Sequence, residues 1–364
     1  MANTSPRDRE LSRRNFERIL LIKPSSLGDV VHALPVLHGL RQRYPRARID
    51  WLVSSAFAPL LEEHEDLDEL ILFERGRFGR MATHPRAVLE FLRFVRDLRA
   101  RAYDLVIDLQ GLFRTGFLAW ASGAGARIGF RDAREGAARF YTHRVRIEDR
   151  DLHAVDRNYG VAGLLGFRDV PLTFRLPLDD DLQTEVKELL RANGVAGNER
   201  LVAVVPGARW ETKVWSPGRF AATIDELHAD GEVRCLLIGG PDEVGRCARI
   251  AAACRSAPVN LAGRTPLRRL VAVLGLADLV LCHDSGAMHV AVALDRPVVC
   301  LIGPTNPARA GPYRRPEDVL RLHLDCAPCY LRRLSQCRFD HQCMKGLDVA
   351  TVVSAVRQSL RRAR

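Results

Sequence analysis

Two apolar runs, residues 279–282 and 298–302, flank a short segment that opens on Asp284-Ser285-Gly286. Neither run alternates between apolar and polar positions. Both therefore read as strands covered on both faces, the habit of a parallel sheet. Parallel neighbours need a crossover, and residues 287–294 supply a short helix for it. This strand–turn–helix–strand unit commits the chain to an open α/β sheet. Asp284, Ser285 and Gly286 then lie at the carboxyl end of a strand and the start of a helix. Such sheets bind ligands there, and helix N–H groups face an anion. The same residues serve equally well as an ordinary helix cap.

The alternation extends in both directions. Strands at residues 18–23, 48–53, 70–73 and 105–108 are separated by helical stretches at 30–44, 56–63 and 85–101, and another helix begins near Gly111. After the proline-flanked segment 171–177 an acidic triplet opens a helix, and strands return at 201–205, 233–238 and 259–261. A length of 364 residues suits two domains at about 150 residues each. The expected division is residues 1–175, 176–346 and a terminal helix within 347–364. The expected fold class is α/β: two Rossmann-like domains with parallel sheets facing a central cleft.

Lysine and arginine number 55 against 44 acids, a formal charge of +11. That excess suits phosphorylated substrates, an anionic membrane surface or nucleic acid, or solvated arginine with no partner at all. No zinc finger, helix-turn-helix or RNA-binding signature accompanies it. No apolar leader and no run of about 18 apolar residues appears, so a cytoplasmic location is expected.

The candidate chemistry gathers after the strands. Gly28-Asp29 follows the first strand as Asp284-Ser285-Gly286 follows the later one. Asp29 is either a first-turn acid favoured by the helix dipole or an ionised carboxylate able to accept a proton. The turn before it has neither the Gly-x-Gly-x-x-Gly of a dinucleotide fold nor the Gly-Lys-Ser/Thr of a P-loop. Residues 207–215 form a loop rich in donors and aromatics, in which Arg209 and Lys213 suit phosphate groups. Glu243, past Gly239-Gly240, suits ribose hydroxyls or a first-turn position. Arg75, Arg77 and Arg80 make a basic, glycine-bearing loop. Cys326, Cys329, Cys337 and Cys343 are spaced either for one tetrahedral structural zinc or as free thiols in a packed loop. The acids Asp66 and Asp68, like Asp179 to Asp181, read as solvated groups at turns and helix starts.

Together these pieces resemble the ADP-heptose:lipopolysaccharide heptosyltransferases, glycosyltransferase family 9. The resemblance lies in residues 22–35, Asp108-Leu-Gln-Gly-Leu112, Ala133-Arg134-Glu135, Pro206-Gly-Ala, Lys213-Val-Trp-Ser, Gly239-Gly-Pro-Asp-Glu243 and the run from Asp284 through Pro307. Residues 100–170 look like the heptosyltransferase I branch and the four-cysteine segment like heptosyltransferase II. The resemblance implies a GT-B fold and transfer of L-glycero-D-manno-heptose, with inversion, from ADP-heptose to the Kdo/heptose inner core of lipopolysaccharide. It implies work at the inner face of the cytoplasmic membrane, no cofactor required for catalysis and no nucleic acid partner. By matched position Asp29 is the general base. Lys213, Arg209, Glu243, Asp284, Ser285, Gly286, Ala287 and His289 belong to the donor side. Ser26, Gly28, Arg75, Arg77, Arg80 and Arg134 belong to the acceptor side. The competing readings are another GT-B nucleotide-sugar transferase or epimerase, and a basic non-catalytic protein.

Overall fold

A computed structural model describes residues 6–74, 76, 85–229 and 231–362. The chain divides into two compact units, Met1–Pro177 and Leu178–Arg364. Among the described residues, the first carries one six-stranded parallel sheet: β1 (Arg18–Ile22), β2 (Arg48–Val53), β3 (Glu69–Leu72), β4 (Leu105–Asp108), β5 (Ala126–Phe130) and β6 (His143–Val145). Their order across the sheet is β3-β2-β1-β4-β5-β6. The second carries β7 (Arg200–Val205), β8 (Val233–Leu237), β9 (Val259–Asn260), β10 (Leu279–His283), β11 (Val298–Leu301) and β12 (Val319–Leu320), in the order β12-β11-β10-β7-β8-β9.

The two orders are one pattern repeated. Each unit starts in the middle of its sheet, builds to one edge, returns, and builds to the other. That leaves a topological switch point between β1 and β4, and another between β7 and β10, where crevices form at the carboxyl edge. The central strands are the unalternating apolar runs; all of β10 and β11 is buried. The helix Gly286–Ala293 is apolar nearly all round, and Ala287 through Val292 are buried, as befits a helix inside a core.

Two expectations need correcting. The helix expected at residues 30–44 is two helices, Leu27–Val31 and Leu34–Arg43, separated at His32 and Ala33. Pro35 has no N–H to donate and its ring would strike the carbonyl one turn back, so it sits at the start of the second helix instead. Asp66 and Asp68 are not freely solvated. Asp66 is buried and its Oδ2 lies 3.0 Å from His38 Nδ1, while Asp68 pairs with Arg41. The helix-start reading does hold for Asp179, whose carboxylate accepts the N–H groups of Asp181 and Leu182.

In the second unit Trp215, Phe220 and Ile224 pack with Met344, Leu347, Val352 and Val356. The helix Val349–Arg362 is thereby fixed to the helix Pro217–His228. Among the described residues no helix is long and apolar enough to cross a membrane.

Candidate active site

In the first unit the crevice residues come from the ends of β1 and β4. Lys23 follows β1 directly, and its buried ammonium donates to the carbonyl of Leu109 beyond β4 at 3.0 Å. The same Nζ lies 3.3 Å from Asp29 Oδ1. Asp29 is the third residue of the helix Leu27–Val31. Its other oxygen accepts the Ser26 N–H at 2.9 Å and the Ser26 hydroxyl at 2.8 Å. The side chain keeps 42% of its surface open. Desolvation opposes its charge, but with that much surface open the Lys23 ammonium and the Ser26 hydrogen bonds outweigh it. They hold the carboxyl below the ordinary carboxylate range. His32, one turn further on, is buried against His153, ring centroids 5.3 Å apart. Asp29 is therefore the accessible titratable group of this turn.

Asp108, at the end of β4, is fully buried. It accepts the N–H groups of Gln110 and Gly111 and the hydroxyl of Tyr141. Burial pushes its carboxyl up against those bonds, and its work is to shape the loop that receives Lys23. Arg134 is exposed, and its backbone N–H donates to the Gly111 carbonyl at 2.9 Å. The structure thus brings Ser26, Gly28 and Asp29 together on one turn and holds Arg134, on the loop after β5, against the loop after β4. Arg75, Arg77 and Arg80 lie outside the described residues.

In the second unit the same construction recurs with a tighter pair. Lys213 Nζ reaches Asp284 Oδ2 at 2.7 Å, and the Thr305 hydroxyl donates to that oxygen at 2.8 Å. Lys213 also lies over the Trp210 ring, 4.4 Å from its centroid, with Arg332 at 5.0 Å. Ser285 caps the helix Gly286–Ala293 by position only: its side chain makes no capping bond, and its buried hydroxyl has no partner among the described residues. A buried hydroxyl and the first N–H groups of a helix are thus left for a ligand to satisfy.

Glu243 completes this crevice. Its carboxylate accepts the Gly240 N–H at 2.9 Å and fills the space beside Gly207, where a Cβ would lie 1.4 Å from Glu243 Oε1. Glycine at 207 is what admits the carboxylate to the end of β7. Beneath it, His283 Nε2 accepts the Trp215 N–H at 3.0 Å. Burial pushes this histidine down to about 3, so it is neutral and holds the loop to β10. Ala287 and His289 are buried in the helix behind Asp284, and Arg209 is exposed on the loop.

The family model for glycosyltransferase family 9 (heptosyltransferase) matches residues 91–340. The chain belongs to that family. Its similarity to lipopolysaccharide heptosyltransferase 1 of Pseudomonas aeruginosa is 33% identity over 315 residues, covering 86% of each chain. Among solved structures, the glycosyl transferase family 9 protein of Veillonella parvula superposes with a TM-score of 0.82 at 23% identity, over 96% of this chain and 99% of that one. The Escherichia coli heptosyltransferase WaaC, solved with ADP-2-deoxy-2-fluoro heptose, gives a TM-score of 0.69 at 25% identity, over 95% and 100%. The family 9 chain is thus a glycosyltransferase of GT-B fold, related to heptosyltransferases of the lipopolysaccharide core.

Within this family 9 enzyme, four residues of the crevices were not singled out from sequence: Lys23, Trp210, His283 and Thr305. Lys23 and His283 lie at the ends of core strands, Trp210 lies beside Arg209 in the loop after β7, and Thr305 lies in the motif after β11. The zinc expectation is not carried by the geometry. Among the described residues no group of three His, Cys, Asp or Glu side chains is arranged to hold a metal. Cys343 is buried while Cys329 is exposed, and Cys337 Sγ accepts the His341 N–H at 3.3 Å. The His341 ring is engaged elsewhere, with Nε2 2.7 Å from the Thr212 carbonyl. All nine cysteines are free thiols.

Proposed function

We propose that the enzyme transfers L-glycero-D-manno-heptose from ADP-heptose to the Kdo/heptose inner core of lipopolysaccharide, with inversion at the anomeric carbon. The observation that carries this reading is Asp29: an open carboxylate kept ionised by Lys23 and Ser26 at the switch point of the first sheet. An acceptor hydroxyl beside it attacks the anomeric carbon on the face opposite ADP. The new C–O bond forms as the bond to the diphosphate breaks, the hydroxyl proton passes to Asp29, and ADP leaves with the bonding electrons.

Charge then accumulates on the departing diphosphate. Lys213, Arg209, the Ser285 hydroxyl and the N–H groups opening at Gly286 form an electropositive receptor for it. Asp284 orients Lys213 and contacts the heptose, with Ala287 and His289 behind it, while Glu243 receives the ribose hydroxyls. Ser26, Gly28, Arg134 and the Arg75, Arg77 and Arg80 loop take the acidic acceptor. These residues supply base and anion receptor, and the reaction needs no resident cofactor. The acceptor is met at the inner face of the cytoplasmic membrane.

Incubation with ADP-heptose and a Kdo-lipid A acceptor should release ADP and yield a product whose anomeric configuration, read by NMR, is inverted. Transfer from a UDP-sugar but not from ADP-heptose, or a retained configuration, overturns the proposal.

A further inference from the structure

The helix Pro85–Ala100 turns Ala87, Phe91, Phe94 and Leu98 to the core of the first unit, one face of a helical period. The opposite face of such a helix is ordinarily polar. Here Leu89 and Leu92 are 56% and 57% exposed, with Val88 beside them. The helix Phe113–Ala121 adds Phe113 and Trp120, 53% and 54% exposed. The two helices are joined by the Phe91–Phe117 stack, centroids 6.0 Å apart, and Phe117 touches Trp120 at 5.7 Å. These exposed groups therefore form one apolar surface rather than scattered single residues.

The surface has a basic margin. Arg86, Arg93, Arg99 and Arg114 are exposed and have no ion pair among the described residues, while Arg96 pairs with its neighbour Asp97. Its position is also informative. Because β3, β4 and β5 are parallel, both helices run back from the carboxyl edge of the sheet. Val88, Leu89 and Phe113 thus lie toward the edge that carries Asp29. The Phe113 N–H donates to Glu135, next to Arg134, at 3.1 Å.

We propose that this surface seats the enzyme on an anionic phospholipid bilayer, with leucine and aromatic side chains in the interface and the arginines on lipid phosphates. It rests on the reading of a lipid-linked acceptor and names the place where the protein meets that lipid's membrane. Apolar groups with a tryptophan and unpaired arginines match the boundary between acyl chains and anionic headgroups. A second copy of the chain fits poorly, because a two-fold contact sets the same arginines against each other.

The test is co-sedimentation with vesicles of phosphatidylcholine alone, and with about one-third phosphatidylglycerol. The wild-type protein should bind the anionic vesicles, lose binding as salt is raised, and leave neutral vesicles largely untouched. Leu89→Glu/Leu92→Glu should weaken anionic-vesicle binding roughly tenfold or more. It should melt like wild type and keep its transfer rate on a detergent-dispersed acceptor. Vesicle binding equal to wild type in this variant overturns the proposal, as does a wild type that ignores anionic vesicles. A dimer that the same substitutions convert to monomer, with vesicle binding intact, would reassign the surface to self-association. Loss of heptose transfer in the wild type would count against the assigned reaction and leave the vesicle result to decide this surface.

Discussion

Lys213 Nζ and Asp284 Oδ2 are 2.7 Å apart, with the two side chains 14% and 8% exposed. Lys23 and Asp29, both beyond β1, form a looser pair in the first unit at 3.3 Å. In each unit a lysine beyond the unit's first strand meets an aspartate near a helix start, from the same side of the switch point in the first unit and from across it in the second. The difference is in what remains open. Asp284 Oδ2 is saturated by Lys213 and Thr305, whereas Asp29 keeps a large open surface. The first carboxylate holds a cation; the second keeps the open surface that the proposed base requires.

Removing Lys213 should therefore have two effects. Lys213→Ala leaves a buried carboxylate with one hydroxyl partner, which costs about 3 kcal/mol of stability. It should also weaken ADP binding and slow transfer. Thermal melts and calorimetric titration with ADP check both. A destabilised variant that binds ADP with wild-type affinity would make the lysine part of the scaffold alone.

Gly207 offers a cleaner probe of Glu243. In Gly207→Ala the new Cβ falls where Glu243 Oε1 now lies. The carboxylate is the far end of a flexible side chain, so it swings away and the fold survives. Donor KM should rise roughly tenfold, the worth of a lost hydrogen bond to a charged group, while kcat changes little. An unchanged donor KM would show that Glu243 makes no contact that counts toward donor binding.

Much of this fold was legible because burial on both faces writes itself into a strand. The strands β1, β4, β7, β10 and β11 are apolar runs with polar residues only at their ends. The last two strands of the first sheet are different: Ala126–Phe130 contains Arg127 and Gly129, and His143–Val145, at the edge, is three residues with two polar side chains, so neither shows as an apolar run. Pairings distant in sequence were equally hidden. Asp66 finds His38 28 residues away, and Lys213 finds Asp284 71 residues away. Each residue of the second pair was a candidate by itself, but their contact follows only from β7 lying beside β10.

His283 makes part of the stability dependent on pH. Burial holds it neutral down to about 3, against an ordinary value of 6.5. Below 6.5 the unfolded chain takes up a proton that the folded chain refuses, so stability falls as pH drops between those values. The loss is about 1.4 kcal/mol per pH unit for one proton. His283→Gln, whose amide oxygen reaches the place of Nε2, can still accept the Trp215 N–H and should flatten the slope by that one proton. Urea midpoints at several pH values between 6.5 and 4.5 measure it. Identical slopes in wild type and variant would mean that this histidine is not the group refusing the proton.

The assignment of the base rests on Asp29, and the Lys23 contact gives it a pH signature. Asp29→Asn keeps the shape of the side chain and its place on the helix but cannot take the proton. It should lower kcat roughly 10²–10⁴-fold and leave ADP-heptose affinity nearly unchanged. Because Lys23 and Ser26 hold the carboxyl below the ordinary carboxylate range, the acid limb of kcat/KM should lie below that range too. Activity is lost as pH falls through the Asp29 pKa, so anything that raises the pKa moves the limb upward. Lys23→Met removes the nearby charge while keeping an unbranched side chain, and should shift the limb to higher pH while the plateau rate persists in part. His32 is the rival, buried one turn behind. An Asp29→Asn enzyme that turns over normally, with His32→Ala dead, would give the proton to the histidine instead.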